Sequence, residues 1–149
     1  MSEAYIAFDG YTLPFKFIPK EMTVMFTNGE FNHYLFKAPI DLYLSEYDTQ
    51  TIRYTMRHLN GLSWHDGDVA VEYLPQILEK YRDYWIYTFS SVSSKVLEEM
   101  LPTSVIVNVQ DLGYSMPKSL PDPQCSRVHR PRYCSKAKAI AIRNFLRSH

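Results

Sequence analysis

The order in which hydrophobic patterns change along this chain restricts its fold more than any other feature. Three runs rich in aromatic and β-branched residues, Tyr5 to Phe8, Glu21 to Phe26 and Phe31 to Lys37, read as strands. Asn28-Gly29 between the last two is a tight hairpin turn in sequence, and the polar, proline-containing stretch Thr12 to Pro19 is expected to connect the first two. Beyond Pro39 the period lengthens. Ile52, Met56 and Leu59 recur at i, i+4 and i+7, with Gly61 placed to stop a helix. Asp68 is placed to cap a second helix carrying Val71, Leu74, Ile77 and Leu78, in which Pro75 predicts a kink or a later start. A strand at Tyr84 to Phe89, a helix from about Ser91 to Met100 and a strand at Val105 to Val109 follow. After a proline-rich loop, Gly113 to Gln124, a last helix runs from about Ser135 to Leu146 with Ala139, Ile142 and Leu146 on one face. Three antiparallel strands followed by helix, strand, helix, strand, helix predict an α/β fold, a mixed sheet flanked by helices. With 149 residues, the expectation is one domain over 1–149.

Hydrophobic residues make up 46% and charged residues 21%, ordinary globular values that exclude a disordered or collagen-like chain. No apolar run approaches the roughly 18–20 residues of a membrane span, and the opening Met1-Ser2-Glu3-Ala4-Tyr5 lacks the pattern of a signal peptide. A soluble protein of the cytoplasm or nucleus, without a membrane partner, is therefore expected. The net charge of zero conceals a skewed distribution. Residues 112–149 hold a single acid, Asp122, against eight bases, among them Arg127, Arg130, Arg132, Lys136, Lys138 and Arg143. Such a basic segment on a mildly acidic body fits either a polyanion such as nucleic acid or charge pairing with the body itself. Tyr114 and Tyr133, beside those bases, are candidate stacking platforms for bases of a single strand.

Both cysteines lie in the same region and bracket a histidine, Cys125-x3-His129-x4-Cys134. Thiolate and imidazole are preferred zinc ligands, and a disulfide closing so short a loop would be unusual in a reducing compartment. Three ligands leave one tetrahedral position, to be closed by a residue distant in sequence or by water. Candidates are Glu21, Asp9, His33 and His149. Trp64-His65-Asp66 and His58 have no partner motif.

The order of elements, with Asp9 following the first apolar run, resembles the ribonuclease-H-like fold of DnaQ-type exonucleases. That family gathers two metal ions with four carboxylates and a histidine. Its Asp-x-Glu is here Asp9-Gly10-Tyr11, its middle Asp falls near Ser93, and its His-x4-Asp is His129 to Cys134, so the carboxylates are mostly gone. This substitution pattern resembles the Maelstrom domain, a branch of that fold with a Glu-Cys-His-Cys zinc site. Pro19-Lys20-Glu21-Met22, the aromatic–histidine run Phe31 to Pro39, and Cys125 to Ile140 carry the resemblance, with a Cys-x3-His spacing where the family has Cys-x2-His and a shorter gap to the second cysteine.

The resemblance implies structural Zn²⁺ on Glu21, Cys125, His129 and Cys134, no two-metal exonuclease activity, and binding of single-stranded RNA in small-RNA (piRNA-type) or transposon silencing. Contacts to phosphate would come from Arg127, Arg130, Arg132, Lys136, Lys138 and Arg143. A small-RNA pathway protein is a further partner the resemblance implies. Two alternatives belong to other classes: a metal-independent ribonuclease on the same fold, and a protein-interaction module without nucleic acid.

Overall fold

The computed structural model describes residues 2–14, 16–39, 44–117, 120 and 134–148. Six strands form one sheet: β1 (Glu3–Leu13), β2 (Lys16–Phe26), β3 (Phe31–Lys37), β4 (Val69–Ala70), β5 (Trp85–Thr88) and β6 (Val105–Asn108), in the order β4-β3-β2-β1-β5-β6. The β1–β2 and β2–β3 pairs are antiparallel, while β5 and β6 add to the other edge of β1 in parallel and β4 runs parallel to β3. The helices are α1 (Glu46–Thr55), α2 (Leu74–Glu79), α3 (Ser91–Met100) and α4 (Ser135–Arg147). The chain is thus an α/β protein with a mixed sheet whose first three strands are antiparallel.

Alternation along β1 and β2 sorts the core onto two faces. Ala4, Ile6, Phe8, Met22 and Val24 pack with Leu74 and Leu78 of α2 and Leu97 of α3. Tyr5, Ala7 and Met25, offset by one residue, pack on the other face against Ala139 and Ile142 of α4. Burial on both faces explains why β1 reads as continuous apolar sequence instead of an alternating one. A third cluster, Tyr11, Ile18, Ile52 and Trp64, continues the core under α1.

Two expectations are corrected. Thr12 to Pro19 is not a connector, because β1 and β2 continue through most of it to Leu13 and from Lys16. The prolines do not prevent this because the register shifts at Asp9/Gly10, and Gly10 faces Pro19 across the irregularity. Asp68 does not cap a helix. Its amide donates to the Leu35 carbonyl at 2.8 Å, Val69–Ala70 forms β4, and a 3₁₀ turn at Val71–Tyr73 leads into α2. Pro75 stands in the first turn of α2, where it costs no internal hydrogen bond, so the later start is what occurs. The hairpin at Asn28-Gly29 is present, with Gly29 at φ 90°. After α1 a π-helical turn, Met56–Asn60, ends at Gly61 with φ 65°.

Candidate functional site

Asp9 and Glu21 are directly opposite each other on β1 and β2. Two carboxylates so placed repel, and both are deeply buried, Asp9 at 6% exposure and Glu21 at 0%. The first turns of α4 supply the compensation. The Ser135 amide donates to Glu21 Oε1 at 2.7 Å, and Lys138 Nζ lies 3.3 Å from Asp9 Oδ2. Between them the Thr23 and Ser135 hydroxyls are 2.8 Å apart. The amino end of α4, where the helix dipole is positive, therefore rests on the carboxylate pair.

These environments drive the two acids apart. Burial raises the Glu21 pKa, but hydrogen bonds from His33 and the Ser135 amide outweigh it, leaving the carboxyl at about 2. His33 Nε2 on β3 is 3.1 Å from Glu21 Oε2. For Asp9 burial dominates, and despite Lys138 its pKa is pushed up to about 6. Cys134, the residue before the amide that holds Glu21, is itself buried. Of the four expected zinc ligands, two separated by more than a hundred residues are thus brought to one end of α4. Cys125 and His129 lie outside the described residues, as does His149. Among the described residues, no group of three or more His, Cys, Asp and Glu side chains is placed to hold a metal ion.

On the far side of Asp9 opens a cavity of about 620 Å³. It lies at the carboxyl ends of the adjacent parallel strands β1 and β5, between the hairpin that joins β1 to β2 and the α3 crossover that joins β5 to β6. Asp9, Thr12, Phe17, Phe89, Ser90, Ser93, Gln110, Ser115 and Lys138 are among its walls. Ser93 and Asp9 thus line one space. Asp9 is the sole carboxylate among the described lining residues. Ser90 caps α3 in a backbone conformation, φ 96° and ψ 151°, that normally belongs to glycine and costs on the order of 1–3 kcal/mol. Asn108 holds the turn in place: its Oδ1 accepts from the amides of Ser90 and Gln110, each at 3.1 Å.

The expected phosphate-binding residues are distributed as follows. Lys136 Nζ sits 4.5 Å above the Phe31 ring, Lys138 pairs with Asp9, and Arg143 donates to the Thr27 carbonyl at 2.8 Å and 3.1 Å. Each has an internal partner. Arg127, Arg130 and Arg132 lie outside the described residues. Tyr114 is not an exposed platform: its ring packs edge-on against Phe89 at 5.7 Å and against Phe145 at 4.7 Å, because it follows β6 onto the α4 face. Tyr133 is outside the described residues.

Sequence reasoning missed Lys20, fully buried, whose ammonium donates to the carbonyls of Phe36 at 2.6 Å, Trp64 at 2.9 Å and Asp66 at 2.7 Å. Three donors meet three acceptors, which offsets the cost of burying the charge. Tyr11 donates to the Leu62 carbonyl of the same strap. His65 and Asp66 therefore belong to a segment clamped by its backbone. Against protein-family models, curated proteins and solved structures, the chain matches none.

Proposed function

We propose that this chain is a Maelstrom-like domain: a ribonuclease-H-like exonuclease fold that has exchanged its two-metal site for a structural zinc and binds single-stranded RNA in small-RNA or transposon silencing. One observation carries the reading. The family's glutamate on the second strand has its counterpart in Glu21, and this buried, ionised carboxylate meets the start of the last helix beside Cys134. The sheet also supports it, with three antiparallel strands and two parallel strands added beside the first.

The donors present fit zinc. A carboxylate can bind a metal ion beside hydrogen bonds such as those from Ser135 and His33, and a buried thiol and a Cys–His pair are ligands zinc prefers. Glu21, Cys125, His129 and Cys134 would hold the ion, which would supply a cross-link between β2, the start of α4 and the segment before it. His33 orients the carboxylate from outside the ligand set, the usual arrangement around a ligating group. RNA would be held by Arg127, Arg130 and Arg132 through its phosphates. Lys136, Lys138 and Arg143 contribute field more than direct contact, since each already has a partner in the fold.

The test has two arms. Elemental analysis of protein purified without chelator should find one zinc per chain, reduced in Glu21→Gln; absence of zinc overturns the site. Single-stranded RNA should bind with an affinity that falls with salt, and changing Arg127, Arg130 and Arg132 to Ala should make the log–log slope shallower by about two units, at roughly 0.7 per phosphate contact. An unchanged slope in the folded variant overturns the RNA reading and favours a protein-interaction module.

A further inference from the structure

Helix α1 is held to the body of the protein by little. It has ten residues, fewer than the roughly 12–15 that an isolated helix needs, so packing must supply its stability. A capping box between Ser45 and Asp48 secures its start, yet Ile52 is its one buried side chain. The bulky residues stand on the opposite side. Tyr47 and Tyr54, two turns apart, lie roughly 140° and 160° around the helix from Ile52. At 65% and 59% exposure they are the most exposed large hydrophobic side chains among the described residues. His58 of the following π-helical turn extends this stripe, its ring centre 4.8 Å from that of Tyr54. Charges flank the stripe in a fixed order, with exposed Glu46 at the amino end and exposed Arg53 and Arg57 toward the carboxyl end. None of the three has an ion-pair partner among the described residues.

We propose that α1 is the contact surface of a two-fold homodimer, packed antiparallel against α1 of a second copy. The order of charges identifies the occupant. About a two-fold axis near Gln50 and Thr51, Tyr47 meets Tyr54 of the other chain, and Glu46 comes opposite its Arg53 and Arg57. Symmetry makes each contact twice, so the face is complementary to itself. A parallel pairing would instead set glutamate against glutamate and arginine against arginine. The helix dipoles favour the antiparallel arrangement as well, because each positive end then lies beside a negative one. Tyrosine and arginine are the side chains that interface centres favour. A helix of ten residues is about 15 Å long. The contact is therefore smaller than the roughly 1,200–2,000 Å² of a stable interface, and the dimer dissociates in the micromolar range. The contact uses neither the residues assigned to zinc nor the arginines at 127, 130 and 132, so it fails separately from the reading above.

Sedimentation equilibrium of the full chain between about 5 and 500 µM tests it, with a dissociation constant of about 10–100 µM expected. Tyr54→Glu should weaken self-association tenfold or more and leave the circular dichroism spectrum of the dilute protein unchanged. Glu46→Arg, and separately Arg53→Glu with Arg57→Glu, should each weaken it too. An equimolar mixture of those two charge variants should associate again as a heterodimer, because every flanking pair is then opposite in sign. A role confined to the fold of one chain would not produce that rescue. A wild type that stays monomeric up to about 500 µM overturns the proposal. So does unchanged self-association in all three variants, or a mixture no more associated than its components. Loss of single-stranded RNA binding in Tyr54→Glu, with a monomeric wild type, overturns it in favour of a stacking platform.

Discussion

Asp9 illustrates how one residue can be visible in sequence while its chemistry is not. Its place after an apolar run singles it out in sequence, but its pKa depends on burial, on Lys138 from far along the chain and on Glu21 across the strand pair. With the folded pKa raised from 3.8 to about 6, the native state binds this proton more tightly than the unfolded state does. The resulting stabilisation is complete below about pH 4 and is lost as pH rises through 6, a change of about 3 kcal/mol for two pKa units. Asp9→Asn, which does not titrate, should therefore gain on the wild type by up to that amount between pH 4.5 and pH 7 in urea unfolding. A difference that is the same at both pH values would show that burial does not set this group. The burial of Glu21 had no local signal, since base rates place a strand glutamate on the surface. Its contact with the Ser135 amide spans 114 positions and has no local signature.

Elements were read well where their signals are local. β3 and α3 match their expected bounds because an Asn-Gly turn with a following aromatic run, and a serine N-cap with helical spacing, are decided within a few residues. The β1–β2 pair was read too short, for a cause that is not local. Polar and proline residues normally end strands, but here one irregularity absorbs Pro19 opposite Gly10. That accommodation makes a sharp demand on residue 10. A Cβ there would stand 2.1 Å from the Ile18 carbonyl oxygen, a backbone atom that cannot move without the strand pair. Gly10→Ala should thus cost more than about 2 kcal/mol in thermal or urea unfolding, beyond the effect of an ordinary surface substitution. A loss below about 0.5 kcal/mol would mean that the two strands separate freely at this point. Asp68 failed as a cap because parallel pairing with β3 claimed its backbone first.

At the scale of the whole molecule, α4 closes one face of the sheet. It buries Tyr5, Ala7 and Met25, provides the partners of both buried carboxylates, and reaches the β2–β3 hairpin through Arg143. A chain ended at residue 133 would leave an apolar sheet face bare, Asp9 without Lys138 and Glu21 without the Ser135 amide. Circular dichroism of that truncation should show no cooperative thermal transition, whereas removal of Ser148 and His149 alone should leave the transition in place. A cooperative transition in the shorter chain would show that the two faces of the sheet fold independently.

The same dependence sets a timetable for synthesis. Strands β1 and β2 leave the ribosome early, but the helix that covers one side of them emerges more than a hundred residues later. At about 5–20 residues per second this side remains bare for several seconds. During that interval Tyr5, Ala7 and Met25 lack the helix that covers them in the folded chain. Burial of that face, and with it the last step of folding, waits for α4.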